Sequence, residues 1–193
     1  MVGGSVGRRL LGAATVVVLA LVPSSVAVAQ AETHCAVKLE PIGPGTDKGE
    51  ILTKPVELGC YGTIAEAIFV GSSGQVRLAP DVTPAELTQA MLDAAGAASA
   101  GADYLIGTEW YNTGYSGSSV SYWATGDCVG QTWGVGYVGA THNDKFESGK
   151  GFASCDRNKK FEHADFGGAV RTCLPNCSNY QALNNEVGTC QRF

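Results

Sequence analysis

A short pattern that occurs twice constrains the fold of this chain more than any other feature. Residues 110–119 read WYNTGYSGSS, and residues 161–170 read FEHADFGGAV. Each copy has an aromatic residue, a second aromatic residue five positions later and a glycine two positions after that. These positions are Trp110, Tyr115 and Gly117 in the first copy, and Phe161, Phe166 and Gly168 in the second. A repeat of this kind predicts two copies of one supersecondary unit, each burying its apolar face against the other.

Residues 1–29 predict a secretory signal peptide. A pair of arginines precedes residues 10–22, which are nearly all apolar, and residues 27–29 read AVA, a small-residue cleavage pattern. Cleavage after Ala31 is the second choice. The apolar run of about 13 residues is shorter than the roughly 20 that span a bilayer, and no second long apolar run follows. We therefore expect a secreted, extracellular protein rather than a membrane-anchored one.

The charge balance after removal of this peptide argues against two classes of partner. The whole chain has 13 Lys and Arg against 18 Asp and Glu. Loss of Arg8 and Arg9 leaves 11 basic against 18 acidic residues, a net charge of −7. The sequence has no Lys/Arg patch, so binding to nucleic acid or to an anionic membrane surface is not expected. A cation is the more natural partner of an acidic surface.

All seven cysteines lie in the exported part, where cysteines usually pair. Cys35 and Cys60 are the only two before residue 104, so we predict a disulfide between them. The connectivity of the others stays open, and one is left over because the total is odd. These others are Cys128, Cys155, Cys173, Cys177 and Cys190. Zinc is not expected, since the spacing from Cys173 to Cys177 has no second Cys/His pair beside it.

The composition divides the exported chain at about residue 103. In residues 32–103, capping-box patterns at 63–66 and 83–86 predict two short helices, and residues 75–79 alternate like a strand. This predicts a small α+β segment that carries one disulfide. Residues 104–193 hold all three tryptophans and several strand-like runs separated by glycines, which predicts an antiparallel β unit.

The duplicated aromatic and glycine pattern resembles the Greek-key motif of the βγ-crystallin superfamily. The resemblance covers about the last 90 residues, and the layout is most similar to secreted actinomycete members of that family. It implies a mainly β fold in which two Greek-key motifs form one β-sandwich. The first aromatic residue would close a corner over a folded hairpin, the second would lie in the core, and the glycine would take a positive φ that side chains disfavour.

Microbial members of the family commonly bind calcium through the pattern N/D-N/D-x-x-S/T-S, one copy in each motif. Residues 143–148 read NDKFES and match at positions one, two and six, with a glutamate at position five. Calcium prefers carboxylate, amide, hydroxyl and carbonyl oxygens. The resemblance therefore implies a first calcium site made by Asn143, Asp144, Lys145, Glu147 and Ser148.

The second copy of the calcium pattern is weaker. Residues 184–189 read NNEVGT, where glycine at position five has no side-chain oxygen, and a shift by one residue puts a cysteine at position six. The ligands implied here are Asn184, Asn185, Glu186 and Thr189, and we expect this site to be weak or absent. The alternative is that both segments are ordinary turns, which favour Asn and Asp without any metal. Cys190 stands where the family has serine, so we expect Cys190 to be the unpaired cysteine.

The sequence does not favour an enzyme. Its three histidines, His34, His142 and His163, have no nucleophile signature beside them, and we expect His34 to be exposed and the other two to lie in loops or at the surface. Residues 163–165 could be a base with an orienting acid, but turn composition is the simpler explanation.

Two functions remain open. The first is a calcium-binding β-sandwich with a structural or stress role. The second, which the resemblance permits, is an inhibitor of an extracellular protease or a toxin-like binding protein. Residues 173–177, a tight loop that two cysteines could close, are its best candidate contact, against the alternative of a constrained turn.

Overall fold

The computed structural model describes residues 1–4, 31–96, 103–186 and 190–193, with no side-chain description at 190–192. The predicted signal peptide lies almost wholly outside these residues. Residues 31–193 form one compact unit. The strands are β1 (His34–Pro44), β2 (Glu50–Tyr61), β3 (Tyr104–Asn112), β4 (Ser116–Ala124), β5 (Thr132–Val135), β6 (Ser148–Gly151), β7 (Asn158–His163), β8 (Gly167–Cys173) and β9 (Cys190–Arg192). The helices are α1 (Ile64–Gly71) and α2 (Gln89–Ala94), with 3-10 turns at Pro84–Glu86 and Gln181–Leu183.

The mainly β prediction is confirmed, with small helices. The nine strands form one sheet in the order β6-β3-β4-β1-β2-β5-β9-β7-β8. Within it, β6-β3-β4 and β9-β7-β8 have the same order: the fourth strand of a repeat, then its first, then its second. In each repeat the fourth strand therefore lies beside the first.

The two repeats exchange their third strands. β5, the third strand of the first repeat, pairs with β9 of the second. In the second repeat the corresponding place is held by an isolated bridge, in which Cys177 pairs with Gly149 of β6. Each repeat therefore contributes its third segment to the strands of the other repeat.

The N-terminal hairpin joins the two halves into a continuous sheet. β1 is antiparallel to β2, and it pairs in parallel with β4 while β2 pairs in parallel with β5. This differs from a sandwich of two separate sheets, because the hairpin supplies hydrogen bonds along one side. The predicted boundary at residue 103 thus falls within one compact unit.

The helical segment packs on the sheet, with α1 against β1, β2 and β4 and with residues of β3 in the same apolar cluster. Thr63 caps α1 by accepting a hydrogen bond from the N–H of Glu66, as predicted, whereas the capping box at Thr83 opens only a 3-10 turn and α2 begins later, at Gln89. The predicted strand at 75–79 does not form, because the N–H of Val76 bonds to the Ser72 hydroxyl instead of a neighbouring strand. Helix residues and the strand tryptophans share one apolar cluster, which includes Ile64, Ile68, Leu92, Trp110 and Trp123.

Three disulfides are present among the described residues, which is typical of an oxidising compartment. The predicted pair Cys35–Cys60 is confirmed, and it links directly opposed residues of β1 and β2. The others are Cys128–Cys155 and Cys173–Cys177. The side chain of Cys190 lies outside the description, so its unpaired state stays a prediction. Glu57 lies near the sulfurs of Cys35 and Cys60, but sulfurs joined in a disulfide are not thiolate metal ligands.

No helix among the described residues is long and apolar enough to cross a membrane.

Candidate functional site

The two copies of the repeated pattern fold into hairpin corners with the same backbone conformation. The φ angles are 70°, 62° and 77° at Gly114, Tyr115 and Gly117, and 54°, 63° and 74° at Asp165, Phe166 and Gly168. Left-handed φ is where glycine avoids the steric cost that a side chain carries. The spacing of the sequence pattern therefore corresponds to a defined local geometry.

The aromatic pairs have the opposite burial to the one expected. In both copies the ring centroids are 5.5 Å apart in an edge-on arrangement. The first residues, Trp110 and Phe161, are buried in the core, whereas Tyr115 and Phe166 are only half-buried. The reason is that Trp110 and Phe161 lie on inward-facing strand positions, while the second residue follows the turn and folds back over the corner.

The first candidate loop, residues 143–148, is the end of the connection from β5 to β6 together with the first residue of β6. Phe146 is fully buried and anchors it, and Asp144 is exposed with a φ of 56°. The Asn143 amide donates to Asp144 Oδ2 at 2.5 Å. The amine of Lys145 lies 5.5 Å from the ring centroid of Tyr111. An ammonium group has no acceptor atom, so Lys145 could offer a cation only its backbone carbonyl.

Ser148 holds the hairpin corner. Its hydroxyl donates to the Asn112 carbonyl at 2.6 Å and accepts from the Tyr115 N–H at 3.0 Å, and the residue is 0% exposed. Both bonding directions are committed to the backbone. The structure therefore places the predicted ligand Ser148 in a structural contact.

The second candidate loop, residues 184–186, lies against the first. The Asn185 N–H donates to the Phe146 carbonyl at 3.3 Å, and the Asn185 side-chain amide donates to Glu147 Oε1 at 2.6 Å. The φ of Asn185 is 58°, close to the value of Asp144 at the same position of the pattern. Glu147 also accepts from the Thr113 N–H at 3.1 Å. Of the predicted ligands, Thr189 lies outside the described residues.

The two loops present oxygens of the kind that calcium prefers. The amide oxygens of Asn143 and Asn184 are buried and have no hydrogen-bond partner among the described residues. Asp144 and Glu186 line one groove together with three further side chains, those of Glu162, His163 and Asn185. Carboxylate and amide oxygens at this density fit a hard cation. Neither Glu162 nor His163 was predicted from the sequence to lie beside the calcium loops, because both belong to the hairpin pattern, which carries no ligand signal.

Comparison with known proteins finds two similar solved structures. One is a βγ-crystallin from an archaeon, with 18% identity and a TM-score of 0.34, covering 46% of this chain and 98% of that one. The other is a βγ-crystallin domain from Flavobacterium johnsoniae, with 18% identity and a TM-score of 0.32, covering 46% of this chain and 93% of that one. About half of this chain matches βγ-crystallin domains in structure, at low identity.

No protein-family model and no curated protein matches the chain. At these identities and TM-scores the likeness to βγ-crystallins says nothing about what the chain binds.

His34 and His142 are both buried, which contradicts the expected exposure of His34, whereas His142 lies in a loop as expected. His34 Nδ1 lies 2.8 Å from the Ser119 hydroxyl, and burial lowers the pKa of His34. Burial also lowers the pKa of His142, whose ring contacts the Tyr111 hydroxyl at 2.8 Å and Glu57 at 3.4 Å. Ser119 is buried as well, so a substrate has no access to this serine.

The loop 173–177 is closed by a disulfide and held by the sheet. The carbonyl of Pro175 accepts from the Asn158 amide at 2.8 Å, and Cys177 exchanges two backbone hydrogen bonds of 2.9 Å with Gly149. Leu174 is 68% exposed at its apex. The loop is therefore fixed at its base and presents an apolar side chain to solvent.

Proposed function

We propose that this chain is an exported, non-enzymatic βγ-crystallin-like protein that binds calcium where its two repeat loops meet. The observation that carries this is the contact between Asn185 and Glu147, which joins the two segments that match the calcium pattern. In this proposal the two halves of the sheet are two Greek-key motifs facing each other as a sandwich, with the β1–β2 hairpin added along one side.

The ligand set differs from the family pattern in a defined way. Asp144 supplies a carboxylate, Asn143 and Asn184 supply buried amide oxygens, and Glu147 replaces the usual hydroxyl at position five. Ser148 keeps the hairpin closed. Lys145 contributes its carbonyl alone. We expect one usable site and one weak or absent site, with an affinity typical of extracellular modules, about 10⁻⁵ to 10⁻³ M.

The role that follows is structural. An ion that binds the folded state only adds RT ln(1 + [L]/Kd) to its stability, which is about 2.7 kcal/mol at one hundred times Kd. For a chain of this size such a gain raises the melting temperature by roughly 5–10 °C. A protein with this property would unfold less readily outside the cell when calcium is present.

Calorimetric titration and thermal melting of the metal-free mature protein test the proposal. We expect a calcium heat signal with the affinity above, a higher melting temperature in calcium, and a response to magnesium that is much smaller. The variant Asp144→Asn should weaken binding about tenfold, because it removes one charged ligand. Asp156→Asn, which changes an exposed acid outside both loops, is the matched control. No heat and no melting shift at millimolar calcium would overturn the proposal.

A second function, inhibition of an extracellular protease, is favoured by one observation. The loop 173–177 is rigid and exposes Leu174, as a segment that enters a protease cleft must. The test is titration of secreted metalloproteases with the mature protein at fixed protease metal and with free calcium chelated. Stoichiometric inhibition that is lost in Leu174→Ala but kept in Val129→Ala, an equally exposed apolar residue at 68%, would support this function. Absence of inhibition would exclude it for the proteases tested.

A further inference from the structure

A lysine and a glutamate meet in the core between the two halves of the sheet. Lys160 of β7 and Glu109 of β3 are 1% and 0% exposed at their side chains, and Lys160 Nζ lies 2.5 Å from Glu109 Oε1. The hydroxyl of Tyr180 donates a hydrogen bond to the other oxygen of Glu109. The side chains of the proposed calcium loops take no part in this cluster, although the Tyr180 N–H donates to the Glu147 carbonyl at 2.8 Å.

The surrounding residues keep the pair in place and away from solvent. Lys160 Nζ lies 4.4 Å from the ring centroid of Phe193. Gly149 of β6 faces the carboxyl group, and a Cβ atom there would lie 2.5 Å from Glu109 Oε2. The absence of a side chain at Gly149 therefore leaves the room that the carboxyl group and Tyr180 occupy.

This environment disfavours the charged forms of both partners. Taking a carboxylate and an ammonium out of water has a large desolvation penalty, which their mutual attraction offsets only in part. Burial raises the pKa of Glu109, although Lys160 and Tyr180 oppose that shift. The neutral acid and the neutral amine are thus closer in free energy to the ion pair than they would be in water.

We propose that Glu109 and Lys160 condense into an amide bond that joins β3 to β7. The lone pair of Nζ attacks Cδ of the protonated carboxyl group, the Nζ–Cδ bond forms, and the Cδ–OH bond breaks. The hydroxyl leaves with a proton from Nζ as one water molecule, and no oxidant, metal or cofactor is consumed. A fixed contact between two reacting groups replaces an improbable encounter, which is the main source of rate in such intramolecular reactions.

Tyr180 is the catalytic residue of this step. Its hydroxyl already donates to the carboxyl oxygen on which negative charge develops during attack. The oxygen that leaves is then Oε1, which lies 2.5 Å from Lys160 Nζ and takes its proton from that nitrogen directly. The product is a neutral cross-link between the two repeats, which none of the three disulfides supplies, and it resists reducing agents.

The mass of the denatured, reduced mature protein tests the proposal directly. We expect a mass one water molecule below that of the sequence, and a peptide map in which the segments containing Glu109 and Lys160 are joined. Lys160→Arg should restore the full mass, whether or not that variant folds. Lys159→Arg, the neighbouring lysine on the same strand, should keep the water loss.

The role of Tyr180 has its own readout. In a time course after refolding, Tyr180→Phe should form the cross-link at least tenfold more slowly than the unaltered chain, while circular dichroism shows the same fold. A wild-type protein of full mass, or a water loss that persists in Lys160→Arg, would show that the two residues form an ordinary buried ion pair. Both measurements on the wild-type chain are independent of calcium, so they also separate this proposal from the calcium proposal.

Discussion

Replacing Ser148 with alanine distinguishes a calcium ligand from a residue that holds the hairpin corner by hydrogen bonds. The change removes a hydroxyl that is 0% exposed and leaves the Asn112 carbonyl and the Tyr115 N–H without their partner. A buried hydrogen bond of this kind is worth roughly 0.5–1.5 kcal/mol net, and an unsatisfied group costs about 1–3 kcal/mol. Because Asn112 and Tyr115 are partly exposed, water can satisfy part of the loss, and we expect a total cost of about 2 kcal/mol.

The assay is denaturant unfolding in chelator and again in excess calcium. A loss of about 2 kcal/mol lowers the melting temperature of a chain of this size by roughly 4–8 °C. If Ser148 only holds the hairpin corner, the loss of stability is equal in chelator and in calcium. Ser116→Ala is the matched control, since its hydroxyl donates to the Thr113 carbonyl at 2.9 Å on the exposed side of the same hairpin. That variant should change stability by less than about 0.5 kcal/mol.

The result that would refute this reasoning is a loss that exists only in calcium. It would assign Ser148 to the metal and show that the hairpin corner is held by other contacts. A loss below about 0.5 kcal/mol in both conditions would refute both roles.

Two further predictions concern packing and pH. Gly71→Ala should destabilise the protein by about 1–3 kcal/mol, because the added Cβ would overlap the indole nitrogen of Trp123. Gly62→Ala, with open space around it, should change stability little, and thermal melts of both variants check this. His34 has a lowered pKa in the folded state, so the unfolded state binds more protons. The stability that His34 supports is therefore complete above about pH 6.5 and falls as the pH drops below that value. Unfolding curves at pH 7 and pH 5 should show this acid loss, and His34→Gln, which keeps a polar contact to Ser119 without titrating, should reduce it.

The local features of the fold were predictable because they depend on residues close in sequence. The repeated hairpin corners follow from aromatic and glycine positions within eight residues, and the cap at Thr63 follows from a bond to Glu66 three residues later. The pairing of Cys35 with Cys60 was accessible by elimination within one segment. The mainly β class followed from strand-like runs alone.

The features that the sequence did not predict depend on contacts between distant residues. The insertion of β1 beside β4 brings together residues about 85 positions apart, as in the contact of His34 with Ser119, and no local pattern signals it. His34 is buried for that reason, against expectation. Residues 32–61 likewise carry no pattern that predicts their hairpin to pair with β4.

The candidate site was predictable in part. The sequence located both loops, but Ser148 belongs to the corner of the hairpin, and Glu162 joins the groove from another strand. A match to a ligand pattern does not say which of its side chains will instead form hydrogen bonds with the backbone.

The sequence by itself determined the two hairpin corners and the cap of α1, since each rests on short-range sterics and hydrogen bonding. Tertiary structure alone decided which halves exchange strands, which loops touch, and that Glu109 meets Lys160 across 51 residues in a buried centre. The physical reason is that burial and charge proximity are properties of the packed chain, and they have no value until distant strands have been brought together.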